Sequence, residues 1–457
     1  MSSLNTSLAT ALSGLAAAQG ALEATANNVA NQNTPGYSRE EPVLVSSDPI
    51  VEPPLTFGTG VTLQKIESVR DPILESQIQQ ETQTQGQLNA LVSALSQTQT
   101  NFTSTGGDIG TAISNFFDSI NQLSTSPADL SLRQGVLTAA GNVATAFNVA
   151  SNHLTAQRSS LDQSVEQTVG QINQLTTQIA QLNGQISSLE NVGQSAGTFV
   201  DQRTQLIDQL SSLVDVAVIP ADNSLTLTTA SGTALVAGQQ SFQLSTQPDA
   251  TGIQHVFAQG SDITSSIVSG QLGGLLEARD QQIPGIQNQL DTLAANFANA
   301  VNSVQTSGYD LNGNAATGTN LFTPPVGTAG AAANLSVAIS DPVLIAASSD
   351  GTAGSNGNAE NLYALRNQSL INGQSPTDYY SSIVFNVGNA AANANAQQSA
   401  SNLVLQQLND QRGAISGVSL DQEAANMMRY QQAYDSSAQV VSTINSMMQT
   451  VINMVTS

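Results

Sequence analysis

The sequence predicts a mainly α protein with β-rich insertions, comprising paired terminal coiled-coil helices, a long-helix bundle and a small β-rich domain. Three observations carry that prediction. Apolar residues recur every seven positions at both ends of the chain, which is the spacing of a helix that buries one stripe against another helix. A longer run of the same spacing fills the interior. Between residues 214 and 270 the period drops to two, the repeat of a half-buried strand.

The first helix is expected over residues 2–31. Leu4, Ala11, Ala18 and Thr25 form one seven-residue series, and Leu8, Leu15, Leu22 and Val29 form its companion. Ser2 or Ser3 can cap its start, and Thr34-Pro35-Gly36 ends it, because proline restricts the preceding residue and lacks an N–H donor. The last forty residues repeat the design: Leu420, Met427, Tyr434, Val441, Met448 and Val455 are spaced by sevens, with Ala424, Ala438 and Ile452 as companions. Ordering either helix alone costs more conformational entropy than its single apolar stripe returns. Both termini are therefore expected to be disordered in the monomer and to fold on meeting each other and neighbouring subunits.

The strongest interior heptad runs from Leu154 through Leu161, Leu175, Leu182 and Leu189, interleaved with Val165, Ile172, Ile179 and Ile186. Weaker helical patterns occupy residues 72–102, through Leu74, Ile78, Leu88, Val92, Leu95 and Phe102, and residues 283–304, through Ile286, Leu290, Leu293 and Phe297. Several long helices side by side make a bundle. Alternation at Val214, Val216 and Val218, then at Leu225 and Leu227 and at Phe242 and Leu244, marks the strands. Residues 305–358 are rich in Gly, Ala, Asn and Ser, with one alternating run at Leu335, Val337 and Ile339, and helix resumes from about residue 359 to 412.

The expected organisation is nested. Residues 1–36 and 417–457 form a terminal coiled-coil assembly domain. Residues 37–213, 271–304 and 359–416 form the helical bundle. Residues 214–270 are a β-rich inserted domain, and 305–358 a Gly/Ala/Asn-rich excursion with a short β segment.

Composition removes several function classes. With 33 acidic against 10 basic residues, a net charge of -23 and Lys65 as the only lysine, no basic surface could neutralise a nucleic-acid backbone. Only 9% of residues are charged, against about a quarter in typical domains, so Gln, Asn, Ser and Thr must make up the polar surface. Cysteine is absent, which excludes disulfides and thiolate metal sites. No run is apolar enough to span a bilayer, and with no basic residue before Arg39 an ordinary cleaved signal peptide is not expected.

Catalysis lacks convergent groups. His153 and His255 fall in different kinds of segment, and no phosphate-binding loop or HExxH pair occurs. Glu40 and Glu41 could suggest glycan hydrolysis, but adjacent carboxylates after a turn are expected to face solvent. Asp310-x-Asn312-Gly313 begins like a calcium loop and lacks its terminal Glu, so a turn is expected there. No enzyme activity, cofactor or metal is expected.

Two motifs adjoin the terminal helices. The stretch from Ala26 to Arg39, Ala-Asn-Asn-Val-Ala-Asn-Gln-Asn-Thr-Pro-Gly-Tyr-Ser-Arg, offers amides that can cap helix ends or bond backbone, followed by a sharp turn. It resembles the N-terminal signature of the flagellar axial proteins, the family of rod, hook and hook-associated subunits. Gly417-Val418-Ser419-Leu420-Asp421-Gln422-Glu423-Ala424-Ala425-Asn426, followed by Tyr430-Gln431-Gln432-Ala433-Tyr434, resembles the C-terminal partner of that signature in the hook-associated branch. Ser419 with Gln422 is a plausible capping box, and Glu423 suits a first helical turn. Stretches around 301–322 and 341–358 are similar to the same family, while Ser436 departs from its usual alanine.

The resemblance implies an extracellular structural adaptor at the hook–filament junction. It implies self-association, contact with hook protein and an adjacent hook-associated protein, and an export chaperone holding the C-terminal helix. Other axial subunits (distal rod, hook or flagellin-like) and a secreted coiled-coil adhesin are the competing readings. The candidate assembly residues are Leu4, Leu8, Leu15, Leu22, Val29, Asn27, Asn28, Asn31, Pro35, Gly36 and Tyr37 at one end. At the other they are Leu420, Met427, Tyr434, Val441, Met448, Ile452 and Val455.

Overall fold

The computed structural model describes residues 2–52, 55–103, 108–221 and 224–456. Helix α1 (Ser2–Asn31) leads into strands β1 (Glu40–Ser46), β2 (Ile50–Glu52), β3 (Leu55–Phe57) and β4 (Val61–Ser68). Next come α2 (Pro72–Thr103), α3 (Ile109–Thr125), α4 (Leu130–Glu190) and α5 (Gly197–Leu213). Seven short strands follow: β5 (Ala217–Ala221), β6 (Ser224–Thr228), β7 (Ala234–Ala237), β8 (Gln240–Ser241), β9 (Leu244–Pro248), β10 (Gln254–Ala258) and β11 (Ser261–Asp262). The chain returns through α6 (Gly270–Glu277), α7 (Ile283–Gln305), α8 (Ala331–Asn334), α9 (Gly357–Ala364) and α10 (Pro376–Ser416), and closes with α11 (Leu420–Thr456).

The main core lies where α3, the first half of α4, α7, α9 and the start of α10 meet. Helix α3 starts on the Asp108 carboxylate, which accepts the Gly110 N–H, and α4 on Asp129, which accepts those of Ser131 and Leu132. Phe116, Phe117, Phe297 and Phe322 interlock in edge-on and tilted pairs with centroids 5.4 to 6.0 Å apart. Arg133 is buried and is held by carbonyl oxygens, its Nε donating to Pro127 at 2.7 Å and an Nη to Ile345 at 2.6 Å.

The heptad of α4 does not face another heptad. Val165, Ile172, Ile179 and Ile186 are buried, but beyond Leu154 the leucine series is only half-buried, and Thr168, Thr176 and Asn183 complete the covered face. That half of α4 lies against α5, α6 and the two sheets, of order β5-β6-β7-β8 and β9-β10-β11. Small polar residues let a helix sit close to strand backbone, and Asn173 bonds both backbone groups of Leu244 at 2.8 Å.

Three expectations need correction. Residues 40–68, grouped above with the helices, form an antiparallel hairpin in which Glu40 pairs with Ser68 and Ser46 with Val61. The polar stretch 368–375 separates α9 from α10, so helix is not continuous from 359. In 305–358 the alternating run contributes a single bridge, Phe322 to Val337, because side chains satisfy this backbone instead: Asn302 bonds both the N–H and the C=O of Phe322, at 2.9 and 2.8 Å. Asp310 accepts the N–H groups of Asn312 and Asn314, the turn expected there.

Candidate assembly interface

Helices α1 and α11 pack antiparallel within the single chain. Thr25 lies beside Ala425 and Asn426, and Gly14 faces Ser437. On α1 the predicted seam holds for most of its length: Ala11, Ala18 and Thr25 are buried, and Leu4, Leu8, Leu15 and Leu22 are half-buried. Val29 is exposed, since the chain contact passes there to Asn28.

On α11 the predicted main series holds in the middle, where Tyr434, Val441 and Met448 are half-buried, while Leu420, Met427 and Ile452 are exposed. The side chain of Val455 lies outside the described residues. The companion series is displaced by one residue. Glu423, Tyr430, Ser437, Ile444 and Val451 line the covered side, and of the predicted companions Ala424 and Ile452 are exposed and only Ala438 is half-buried. Spacing by sevens was present in this missed series, but Ser437 interrupts its apolar character.

The second face of α1 carries Ala17, Ala21, Ala24 and Asn28, and it packs on the β1–β4 hairpin. Small side chains allow that approach; a Cβ added at Gly20 would collide with Leu63. Here the asparagine motif finds its partners inside the chain. Asn28 is buried, donating to the Glu40 carbonyl oxygen and accepting the Glu40 N–H, both at 2.8 Å, and it accepts the Tyr37 hydroxyl at 2.9 Å. Asn27 donates to a Glu40 carboxylate oxygen at 2.9 Å, and Asn31 donates back to Asn27 at 2.9 Å.

The turn is fixed equally well. Gly36 adopts φ +75°, a left-handed conformation that glycine accepts without strain, and a Cβ there would run into Gln205 of α5. The Gln205 amide donates to the carbonyl of the exposed Pro35. The Ser38 N–H donates to Asp201 at 3.3 Å, Arg70 pairs with the same carboxylate, and the Arg39 N–H donates to Ser416 at 2.9 Å. An elbow of α1, β1, α5 and the α10–α11 joint thus connects the terminal pair to the bundle.

Electrostatics hold the Tyr37 hydroxyl of that elbow in its protonated form. The Tyr37 phenol is pushed well above its ordinary value, chiefly by burial and further by the carboxylates of Glu40, Asp201 and Glu423, so its hydroxyl stays a donor. Burial raises Asp201, with Arg70 and the Ser38 hydrogen bonds opposing it. Among the described residues no group of three His, Asp or Glu is placed to hold a metal, and no helix is long and apolar enough to cross a membrane. Glu40 is buried and used structurally, while Glu41 pairs with Arg39 at 2.9 Å.

Comparison with known proteins agrees with this architecture. Residues 95–322 match the family model "Flagellar hook-associated protein FlgK helical domain", 8–37 "Flagella basal body rod protein", and 411–454 "Flagellar basal body rod FlgEFG protein C-terminal". Flagellar hook-associated protein 1 of Bacillus subtilis (strain 168) is 31% identical, over 99% of both chains. That of Escherichia coli (strain K12) is 28% identical over 97% of this chain and 98% of its own. The flagellar hook junction protein FlgK from Burkholderia pseudomallei shares the fold, with a TM-score of 0.66 at 20% identity, covering 74% of this chain and 100% of that one. An antiparallel terminal pair, the motifs at its elbow and a relative matched from end to end together place the chain in the flagellar hook-associated protein 1 family, whose members are structural subunits of the bacterial flagellum.

Proposed function

We propose that the chain is the adaptor at the hook–filament junction needed for filament attachment, and that it joins its neighbours through α1 and α11. One observation carries the assembly reading: the apolar arc of α11 is wider than α1 covers. Ile452 on one flank and Val440, Met447 and Met454 on the other are exposed, as are Leu420 and Met427 at the start of the line that Tyr434, Val441 and Met448 continue. A helix with a single partner needs one stripe, and apolar flanks on both sides of it suit further helices. Leu12 and Val29 add exposed apolar surface on α1.

Assembly with other axial subunits accords with the family. More specifically, the partners are further copies of this chain, hook protein on one side and an adjacent hook-associated protein on the other. An export chaperone holds α11 until these contacts form. In this reading residues 1–36 and 417–457 serve assembly, the bundle and the β-rich insertion stand apart from the contact between subunits, and the site of action is the flagellum outside the cell.

Deletion of the gene, followed by electron microscopy and assay of the spent medium, tests the function. Hooks without filaments and flagellin lost to the medium are expected. Normal filaments in the deletion strain would overturn the proposal.

A further inference from the structure

Sulfur is distributed unevenly in this chain. There is no cysteine and no tryptophan, and of six methionines five lie on α11, the sixth being Met1. Met427 (36% exposed), Met428 (61%), Met447 (51%) and Met454 (71%) are open to solvent, while Met448 turns toward α1 and is half-buried. Thioethers are the side chains most readily oxidised by two electrons once thiols are absent. The helix that presents the uncovered apolar flanks is thus also where the oxidisable groups of the described chain are gathered.

We propose that Met427, Met428, Met447 and Met454 form a peroxide-sensitive modification site, and that their conversion to sulfoxides prevents α11 from entering a contact with a neighbouring subunit. In each step the thioether sulfur attacks one oxygen of hydrogen peroxide, the O–O bond breaks and an S–O bond forms. Sulfur loses two electrons, and the peroxide leaves as water. The product replaces an apolar, adaptable group with a polar acceptor that an apolar partner cannot satisfy. Met447 and Met454 lie on one flank, and Met427 lies at the open end of the line that Tyr434, Val441 and Met448 continue, so both the flank and the end of the covered line are affected. The bundle, with no methionine, is untouched. Once subunits have packed, the same flanks are covered, so sensitivity is confined to the free chain. Methionine sulfoxide reductases reverse the change wherever they reach it.

The blocking of contact rests on the assembly reading above; the reactivity does not. Purified full-length chain is treated with hydrogen peroxide and mapped by mass spectrometry. The four exposed methionines are expected to gain one oxygen about 5-fold or more faster than Met448; equal rates at Met448, Met447 and Met454 would overturn the site. In cells, flagella are sheared and regrown in sublethal peroxide. The fraction of hooks regaining filaments is expected to fall several-fold with the natural chain and to hold level in a variant carrying Met427→Leu, Met428→Leu, Met447→Leu and Met454→Leu, which keeps volume and helix propensity. Equal falls in both strains would overturn the functional effect. Failure of the adaptor reading shows separately, in the deletion strain grown without oxidant.

Discussion

Asn28 holds both backbone polar groups of Glu40, donating to its carbonyl oxygen and accepting its N–H at 2.8 Å each. The side-chain amide acts as one more strand residue, so the hairpin can start against the helix without an orphaned peptide group. The pattern recurs where Asn173 meets Leu244 and where Asn302 meets Phe322. These three helix-to-extended-chain contacts in this low-charge protein are pinned by an amide rather than an ion pair.

Asn28→Ala is therefore expected to leave two buried backbone groups and the Tyr37 hydroxyl without partners. A loss of about 2–4 kcal/mol in local stability should follow. Amide exchange at Glu40 and the N-terminal half of β1 should accelerate, while the Phe116–Phe297 core keeps its protection. An unchanged exchange rate at Glu40 would show that the clamp is dispensable.

Gly36→Ala forces a Cβ into a left-handed residue and against Gln205. The backbone term alone costs about 1 kcal/mol. Loss of the Gln205 contact to Pro35 should add to it. Limited proteolysis of residues 32–38 is expected to become faster, and Gln205→Ala in the same background should add little, since that contact is already broken.

Ile444 lies on the covered side of α11, and Val441 and Leu15 border the same contact. Replacing any of them with Asp places a charge between two helices. The chain should remain soluble with its central bundle folded, and incorporation into flagella should fail. Normal incorporation of Ile444→Asp would remove the helix pair from the assembly contact.

Burial raises Asp215 to about 6, with the Ala230 N–H opposing the shift from 3.0 Å and the second carboxylate oxygen lacking a partner. A folded-state value above the unfolded one means that the folded chain binds this proton more tightly. The contribution of this carboxyl to stability is present below about pH 4 and is lost as pH rises toward 6. Asp215→Asn should then raise stability at pH 7 by on the order of 1–2 kcal/mol and change it little at pH 4. Denaturant titrations at the two pH values check the sign.

The apolar spacing alone determined that both ends are long helices with a stripe to cover, that α2, the second half of α4 and α7 are helical, and that strands lie between 214 and 270. These are local periodicities, and backbone geometry leaves them little freedom. Tertiary structure decided which stripe is covered. The apolar arc of α11 spans more than one heptad line, so sevens through Ala424 and sevens through Ile444 fit the sequence equally, and only the antiparallel approach of α1 selects the latter. It also decided what the asparagines bond. Their amides are visible as residues, but the partner of Asn28 is brought to it by the turn at Gly36, whose geometry Gln205 and Asp201 hold from far along the chain, with Arg70 bracing Asp201.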